Sequence, residues 1–307
     1  MPGPRIVVIG SVNMDLVVRA ERLPGPGETV HGHSFMMAPG GKGGNQAVAA
    51  SRLGGRVALI GCIGDDLFGQ SLAVRLRAEG VDTASLLIAP GTASGVALIG
   101  VDAAGENAIT VVAGANGTLS PADIEAREAL IAAADAVLVQ LEIPLETAAC
   151  ALRLARRHGV LSILDPAPAP RAPYPAGLFE ADILTPNQAE AEALSGIRIV
   201  DASSAQEAAR AVLGLGARAA TITMGDRGTY VVSDRCFHAA PIPVHAVDTT
   251  ACGDAFAAGL AIALAQGRTI EEAVTWANAA GALAATRAGA QDAMPSWEEV
   301  DRLVATR

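Results

Sequence analysis

A carboxylate at the start of an apolar helix is the feature of this chain that most directly suggests chemistry. Residues 248–254 read DTTACGD, and the small apolar residues that follow predict a helix over Ala255–Ala265. The free N–H groups of a first helical turn, together with the helix dipole, can surround an anion. A carboxylate beside that anion can accept a proton from a hydroxyl that attacks a phosphoryl group. An ordinary Asp N-cap followed by small packing residues is the alternative interpretation.

A glycine-rich segment near the N-terminus is the second candidate. Residues 39–45 read PGGKGGN, follow a predicted strand and open a predicted helix, Gln46–Leu53. Glycines allow a ligand to approach the backbone closely, and Lys42 and Asn45 could hydrogen-bond sugar hydroxyls. The segment is not a P-loop, because the chain contains no GK[ST]. A simple glycine-rich turn before a helix stays open.

Two pairs of polar residues could also contact a ligand. Asn13 and Asp15 follow the first predicted strand, Ile6–Gly10, and on extended backbone their side chains share one face. They could clamp adjacent hydroxyls, although such a pair often marks a turn. Asn187 and Glu190 lie three residues apart in the first turn of a predicted helix. They could hold a hydrated Mg²⁺, which needs only one or two protein groups, or they could form a helix cap.

Composition and charge narrow the class of protein. The 307 residues are 51% hydrophobic but only 3% aromatic, which indicates a core of Ala, Val, Leu and Ile, typical of helices packed on a buried sheet. The net charge of −10 and the absence of a Lys/Arg cluster disfavour a nucleic-acid partner. The start resembles no signal peptide, and the longest apolar run is too short to span a bilayer. We therefore expect a cytoplasmic protein without a membrane partner.

The order of predicted elements favours an α/β fold with a parallel sheet and right-handed crossovers. The second half alternates buried strands and helices, and three helices close the chain. Its predicted elements are the strands Ala136–Leu141, Val160–Asp165, Asp182–Thr185, Ala219–Met224 and Thr229–Ser233, and the helices Leu145–His158, Asn187–Leu194, Ala205–Leu213, Ala255–Ala265, Ile270–Arg287 and Trp297–Ala305.

The first part of the chain predicts strands among Pro/Gly turns without intervening helices. These strands are Asp15–Arg19, Thr29–Met37, Ser94–Asp102 and Ala108–Val112. We interpret them as a small β-sheet lid inserted at about residues 13–38 and 94–113 of a single α/β domain that comprises residues 1–307.

Taken together, these motifs resemble the PfkB family of carbohydrate kinases, and most closely its members that phosphorylate ribose. GGKGGNQAVAA at residues 40–50 and DTTACGDAF at residues 248–256 resemble the two family signatures, in the expected order. GEN at 105–107, GAN at 114–116 and DPAPA at 165–169 are similar to details of the ribose-specific members. The resemblance extends from about Ile6 to the last helix, and it implies a parallel-sheet core flanked by helices with a small lid.

The resemblance implies a role for each matching residue. Asp254 would be the general base, with Ala251, Cys252 and Gly253 forming the anion hole. Asp254 would also join the sugar-binding residues, which are Asn13, Asp15, Gly41, Lys42, Gly43, Gly44, Asn45 and Glu142. The ATP site would comprise Asn187, Thr223, Met224, Gly225, Asp226, Arg227, Gly228, Gly253 and Asn278. Asn187 and Glu190 would organise phosphate and Mg²⁺. A monovalent cation, expected to be K⁺, would be held by Asp248, Thr250, Ala284, Arg287 and Gly289.

Two residues depart from the pattern that the resemblance implies. Ala293 stands where a Ser often closes the cation loop, which removes one hydroxyl ligand and makes K⁺ activation less secure than catalysis. Cys252 stands in the anion hole where the family usually has Ala. A thiol at a helix N-terminus can have a lowered pKa, so we consider both a reactive thiol whose modification blocks phosphate entry and a buried inert one.

The activity implied by the resemblance is ATP-dependent phosphorylation of D-ribose at its 5-hydroxyl, with Asp254 acting at a near-ordinary pKa of roughly 4. Two alternatives stay open. The acceptor could be another sugar or a nucleoside, such as deoxyribose, fructose or a purine nucleoside, or the chain could be a non-catalytic sugar-binding regulator. Apolar lid strands such as 94–98 could pair with those of a second copy to form a homodimer.

Overall fold

The α/β fold expected from the sequence is present in the computed structural model, which describes residues 3–306. Its strands are Arg5–Ile9 (β1), Asn13–Ala20 (β2), Gly32–Gly40 (β3), Arg56–Gly64 (β4), Leu86–Ala89 (β5), Gly95–Val101 (β6), Asn107–Val112 (β7), Ala136–Gln140 (β8), Leu161–Asp165 (β9), Ile183–Leu184 (β10), Ala219–Thr223 (β11), Thr229–Val232 (β12) and Cys236–Ala239 (β13). Its helices are Lys42–Arg52 (α1), Leu67–Ala78 (α2), Pro121–Glu125 (α3), Glu128–Ala132 (α4), Leu145–Arg157 (α5), Gln188–Ser195 (α6), Ala202–Leu213 (α7), Cys252–Ala265 (α8), Ile270–Ala285 (α9) and Trp297–Ala305 (α10).

A nine-stranded sheet forms the body of the protein, in the order β13-β12-β11-β10-β9-β8-β1-β4-β5. Neighbouring strands from β11 to β5 pair in parallel, whereas β12 and β13 are antiparallel additions at one edge. The central strand β8 is buried along its whole length. Such continuous burial is typical of a parallel sheet covered by helices on both faces.

The two faces of the sheet bury separate layers of helices. In β1, Ile6 and Val8 contribute to the core that includes α1, α8 and α9, while Val7 and Ile9 contribute to the core that includes α5 and α7. This division follows from the alternation of side chains along a strand. The helices of the first layer contain many small residues, and an added Cβ on Gly259 of α8 would lie 3.2 Å from Ala277 Cα in α9. Small residues therefore allow these helices to approach closely.

A second sheet of four strands, in the order β3-β2-β6-β7, is built from the two predicted insertions. Here β2 pairs with β3 antiparallel and with β6 in parallel, and β6 pairs with β7 antiparallel. The predicted strand Thr29–Met37 is wrong at its start, because residues 25–28 form a turn and β3 extends from Gly32 to Gly40. The expectation of no intervening helices is also wrong, since α1 and α2, with β4 and β5, lie between the insertions.

Within residues 3–306, no helix combines the length and apolar character that crossing a membrane requires.

Candidate active site

Polar residues gather at the carboxyl edge of the large sheet, and the sequence singled out some of them, such as Glu142 and Thr223. Ser11 follows β1, Glu142 follows β8, Asp165 ends β9 and Thr223 ends β11. The small sheet grows from the same edge, because β2 begins at Asn13, shortly after β1 ends. Ligands of parallel α/β sheets bind outside this edge. The fold therefore brings the residues that follow the strands of the large sheet close to Asn13 and Asp15 on β2 of the small sheet.

Asn13 lies at the base of this site with its side chain fixed. It is only 2% exposed, and its Oδ1 accepts a hydrogen bond of 2.7 Å from Asn116 Nδ2. Asn116 also binds both backbone groups of Val12. A Cβ at Gly95 would lie 2.2 Å from Asn13 Oδ1, so this position of β6 requires glycine. Asn13 is thus a preorganised polar group.

Asp15 lies farther along β2, on the same face as Asn13, as its predicted spacing requires. Burial, together with the nearby carboxylates of Glu142 and Asp254, raises the pKa of Asp15 to about 7. A Cβ at Gly40 of β3 would lie 2.2 Å from Asp15 Oδ2. The glycine leaves room for a carboxyl group that sits among other acids.

The glycine-rich segment forms the first turn of α1, four residues earlier than predicted. Gly41 has a φ of 81°, a left-handed conformation that glycine adopts without strain. A Cβ at Gly43 would lie 2.6 Å from the carbonyl carbon of Gly10, so this turn packs directly on the chain that follows β1. Glu142 Oε2 joins the two segments, because it accepts from Ser11 Oγ at 2.5 Å and from the Lys42 N–H at 3.1 Å.

Lys42 places a cation at the centre of the carboxylates. Its Nζ lies 3.6 Å from Asp165 Oδ2, in an ion pair of which only 27% of the lysine side chain is exposed. Burial alone would lower the pKa of Lys42, but Asp165, Asp254, Glu142 and Glu190 raise it above its ordinary value. The ammonium therefore stays charged.

Asp254 is buried at the start of α8, with both carboxylate oxygens hydrogen-bonded. Oδ2 accepts from Asn45 Nδ2 at 2.9 Å, and Oδ1 accepts from Gln46 Nε2 at 3.1 Å. Burial raises the pKa of Asp254 to about 6; Lys42 opposes this rise, and Asp165 adds to it. The expected near-ordinary pKa of roughly 4 is therefore wrong. The two amides link the acid to the glycine-rich helix.

In the part of the chain that the structure describes, no side chain caps the N-terminus of α8. This distinguishes it from α2, α3, α6, α7, α9 and α10, in each of which an N-cap side chain accepts a hydrogen bond from a first-turn N–H. Ala251 precedes the helix with a φ of 59°, which is strained for a residue with a Cβ. Gly253 is exposed, and a Cβ there would meet no atom within 4 Å. The Cys252 N–H donates to the Thr249 carbonyl at 3.4 Å, and the anion hole at this turn stays a prediction.

Cys252 lies partly buried beside these N–H groups. Burial, together with the carboxylates of Asp248 and Asp254, raises the pKa of its thiol to about 11. The hypothesis of a reactive thiol with a lowered pKa is therefore wrong. Burial and, after it, the neighbouring negative charges outweigh the effect of the helix N-terminus on the thiol pKa, so the inert thiol is the interpretation that fits.

A cavity of about 440 Å³ opens between the short turn of 3₁₀ helix after β11 (Gly225–Arg227), the loop before α8, and helix α9. Five residues predicted for the ATP site besides Gly253 line it: Thr223, Gly225, Asp226, Gly228 and Asn278. Ile242, Val244 and Phe256 add an apolar wall that the sequence did not indicate. Asn187, Met224 and Arg227, which were also predicted for this site, do not line the cavity. Met224 is buried, and the Arg227 guanidinium turns to Gln188. Adjacent glycines rather than these side chains shape the opening.

Asn187 and Glu190 hold each other at the start of α6. Asn187 Oδ1 accepts from the Glu190 N–H at 2.9 Å, and Glu190 Oε2 accepts from the Asn187 N–H at 2.8 Å. The alternative interpretation, a helix cap, is thus present. Burial raises the pKa of Glu190, while the Asn187 N–H and Lys42 act against the rise. The charges of Lys42 and Asp254 thus act on Glu190 while it caps the helix.

Four of the residues predicted to hold a monovalent cation, Asp248, Thr250, Arg287 and Gly289, lie in two adjoining loops, whereas Ala284 lies in the last turn of α9. Asp248 accepts the N–H of Thr250 with one oxygen and that of Gly289 with the other, each at 2.9 Å. Burial would raise the pKa of Asp248, but these hydrogen bonds hold it below its ordinary value. The Arg287 guanidinium turns away to Glu299, so only its backbone carbonyl could serve as a ligand.

Comparison with known proteins places this geometry in a family. The sequence pattern of the pfkB family carbohydrate kinases matches residues 4–297. The chain belongs to the PfkB family. Its curated relatives in that family include the ribokinase of Haemophilus influenzae, 39% identical over 302 residues and 96% of both chains. The ribokinase of Bacillus subtilis is 40% identical over 299 residues, which cover 97% of this chain and 99% of the relative.

Further PfkB relatives include a kinase named for a second sugar and a protein of known structure. The deoxyribokinase of Salmonella typhi is 35% identical over 295 residues and 96% of both chains. The structure of Arabidopsis thaliana ribokinase complexed with ribose and ATP superposes with a TM-score of 0.90, at 31% identity, over 98% of this chain and 99% of that one. The parallel-sheet core flanked by helices is therefore the PfkB fold.

Several buried groups of this PfkB site were not assigned a role from the sequence. Gln46, Gln140 and Asp165 form a hydrogen-bonded group behind Asp254. Ser11 and Asn116 orient Glu142 and Asn13. Their positions in the sequence could have indicated them. Gln46 follows the glycine-rich segment directly, and Gln140 and Asp165 are the last residues of buried strands.

Proposed function

We propose that this chain transfers the γ-phosphoryl group of ATP to the 5-hydroxyl of D-ribose, which gives D-ribose 5-phosphate and ADP. One observation carries the proposal. The Asp254 carboxylate lies between the amides of the glycine-rich helix and the uncapped N-terminus of α8. Such a carboxylate faces a sugar hydroxyl on one side and an anion on the other. Membership of a carbohydrate kinase family and the similarity to ribokinases support the reaction and the sugar.

The sugar would lie over the glycine-rich turn. Asn13, Asp15 and Glu142 supply oxygen acceptors for its hydroxyls, and Asn45 supplies an amide. Gly41, Gly43 and Gly44 let the ring approach the backbone. Lys42 keeps a positive charge beside this position, where four carboxylates would otherwise repel one another.

The proposed chemistry is one in-line displacement. The O5 oxygen forms a bond to the γ-phosphorus, while the bond to the bridging oxygen breaks and its electron pair leaves with ADP. Asp254 accepts the O5 proton. With a pKa of about 6, Asp254 is mostly ionised at neutral pH yet basic enough to hold the proton late in the reaction. The α8 N–H groups and Lys42 stabilise charge on the transferring group.

ATP would occupy the cavity between α9 and the turn after β11, with its phosphates directed to the N-terminus of α8. Asn187 and Glu190 would hold Mg²⁺ through water, and their mutual cap leaves each with further oxygen lone pairs, so the donors fit a hydrated ion. When bound, Mg²⁺ supplies charge neutralisation of the phosphates.

A monovalent cation, K⁺, would lie where the loops that carry Asp248, Thr250, Arg287 and Gly289 meet the end of α9, which carries Ala284. The support is the hydrogen-bonded junction at Asp248, which brings the two loops together. Ala293 adds no hydroxyl there, so the cation would rely on carbonyl oxygens and the Asp248 carboxylate. A comparison of rates in KCl and in tetramethylammonium chloride tests this point.

The four-stranded sheet would serve as a lid over the sugar and as the contact surface of a homodimer. Its support is position and composition: β2 carries Asn13 and Asp15, and the sheet exposes large apolar side chains. Closure of such a lid excludes water and so suppresses hydrolysis of ATP.

Because ATP is the second substrate and the four cysteines are free, the proposed location of the protein is the cytoplasm.

A coupled assay of ADP release across a panel of acceptors tests the function. We expect the highest kcat/KM with D-ribose among ribose, 2-deoxyribose, fructose and adenosine. A higher value with 2-deoxyribose would favour the second candidate, deoxyribose phosphorylation, which the similarity to a deoxyribokinase supports. ADP release at the rate of bare ATP hydrolysis with every acceptor would favour a sugar-binding regulator instead.

A further inference from the structure

Gln46 makes contacts that ordinary core packing would not require. It is fully buried in α1, and its Nε2 donates to Asp254 Oδ1 at 3.1 Å and to Asp165 Oδ2 at 3.0 Å. A side-chain amide nitrogen carries two protons, and here each proton binds a different carboxylate. One amide thus bridges the two buried acids of the site.

Gln140 fixes the direction of this bridge. Its Nε2 donates to Gln46 Oε1 at 2.6 Å, so the Gln46 oxygen faces β8 and its nitrogen must face the carboxylates. A Cβ at Gly10 would lie 1.8 Å from Gln140 Oε1, so only glycine at this position of the chain leaves room for Gln140. The orientation of Gln46 is therefore determined by its surroundings.

The second acid of the bridge connects to the cation of the site. Asp165 Oδ2, which accepts from Gln46, also lies 3.6 Å from Lys42 Nζ. Lys42 and Gln46 lie four residues apart on α1, so both project from one face of the same helix. The base and the cation are thus held in one rigid group of side chains.

We propose that Gln46 is a positioning residue, which holds the Asp254 carboxylate with one amide proton and the Asp165–Lys42 ion pair with the other. This inference rests on the proposed role of Asp254 as general base. Gln46 keeps the carboxylate plane directed at the sugar hydroxyl and stabilises the ionised form that can accept a proton. It touches neither substrate, and it acts through Asp254 and Asp165.

Other groups near Asp254 must be considered in any pH measurement. Lys42 from α1 opposes the rise in its pKa, whereas Asp165 from β9 adds to it. Asp15 from β2, Glu190 from α6 and Cys252 are each affected by the charge of Asp254. Replacement of Gln46 keeps all of these side chains and removes one donor from each of Asp254 and Asp165. A change in the acid limb of the pH profile of kcat therefore reports the lost donor.

The test compares wild-type enzyme with Gln46→Met, which keeps a similar length and volume but donates no proton. We expect kcat to fall by about 10- to 100-fold because a hydrogen bond to a charged group is lost. The KM for the sugar should change by less than about threefold. The acid limb of the pH profile of kcat should move up by about one pH unit. Loss of a donor to the ionised Asp254 carboxylate favours the neutral carboxyl group.

Gln46→Glu is the second variant, for use if the methionine variant fails to fold. It preserves the shape of the side chain and can still accept the hydrogen bond from Gln140. It should also raise the acid limb, since it adds a third carboxyl group. Gln291→Leu is the matched control: this glutamine is equally buried, lies against Gly44 of α1, and its amide has no partner among residues 3–306. Its kcat should stay within about twofold of wild type.

Two outcomes would overturn the role of Gln46. One is an unchanged acid limb in both Gln46 variants; the other is a loss of kcat no larger than that of Gln291→Leu. Each variant is assayed with the acceptor that the wild-type enzyme phosphorylates best. Failure of the proposed function is then visible in the wild type alone, before any variant is compared.

Discussion

The Asp254 carboxylate combines three properties of a general base: it is nearly buried, both its oxygens are held by amides, and its pKa is raised to about 6. A neutral amide in its place would keep the shape of the site but could not accept the proton. We therefore expect Asp254→Asn to lower kcat by about 10²–10⁴-fold. Sugar binding, measured by calorimetry, should change little, because Asn13, Asp15 and Glu142 remain. A kcat close to the wild-type value would remove Asp254 from the mechanism.

Asp15 gives the site a second pH dependence. Its raised pKa, about 7, means that it gains a proton as the pH falls through 7, and the neutral carboxyl accepts fewer hydrogen bonds from sugar hydroxyls. Asp254 follows at about pH 6. Both groups work in the ionised form, so kcat/KM for the sugar should reach its full value about one unit above pH 7 and decline as the pH falls through 7.

The variant Asp15→Asn separates these two steps. We expect it to lower kcat/KM by about 10- to 100-fold, mainly through KM, because a charged acceptor is lost. The remaining acid limb should lie near pH 6, where Asp254 titrates. A pH–rate series for wild type and variant measures both effects. If the variant keeps the wild-type limb and KM, the sugar does not contact Asp15.

Residue types and local spacing were sufficient to indicate Asp254, Asn13 and the glycine-rich segment. The contacts between distant segments were not predictable, because Gln46, Gln140 and Asp165 meet only after three elements have packed. The pKa of Asp254 was also misjudged for this reason. Its value depends on burial and on the charges of Lys42 and Asp165, which have no signature near residue 254.

At the scale of elements, α1 is the part that joins the sugar side of the site to the base. Its first turn lies so close to the chain after β1 that a Cβ at Gly43 would be 2.6 Å from Gly10 C and 2.7 Å from Ser11 N. Backbone atoms cannot move aside as a flexible side chain can. The position of Lys42, Asn45 and Gln46 therefore depends on this close approach.

Gly43→Ala tests that dependence. Helix propensity alone would favour alanine by about 1 kcal/mol, but the backbone contact should make the variant about 1–3 kcal/mol less stable to denaturant. We expect the KM for the sugar to rise as well, because the turn must shift. The control is Gly117→Ala, where an added Cβ would be no closer than 3.6 Å to the Ala113 Cβ. Equal stability of the two variants would contradict the close packing of α1.

The missed elements show which local patterns are ambiguous. Strand β4 is buried at eight consecutive residues, and such a run has no alternation that separates a strand from a buried helix. Helix α2 carries Leu67 and Val74 on its exposed side, which obscures its apolar face. In the second half of the chain, Gly and Pro residues separate the runs, and the predicted strands and helices are present there.

At the scale of the whole molecule, the two sheets differ in what they leave exposed. The large sheet is covered by helices on both faces. The small sheet instead exposes large apolar side chains on adjacent strands, among them Val18, Phe35, Met37, Leu98 and Val112. Met37 and Leu98 both pair with Leu16 of β2, so they share one face. Contiguous apolar surface of this kind typically marks a contact with another protein.

A second copy of the chain would cover this face in the homodimer that we propose. A charge at its centre should then prevent association, because it would be buried without a partner. We expect Leu98→Glu to convert a dimer into a monomer in sedimentation velocity. The control is Val74→Glu on α2, which places the same charge on an exposed valine outside the small sheet and should leave the dimer intact. A monomeric wild-type protein, or a dimeric Leu98→Glu variant, would contradict association through the small sheet. In either case the lid would have to cover the sugar without help from a neighbouring subunit.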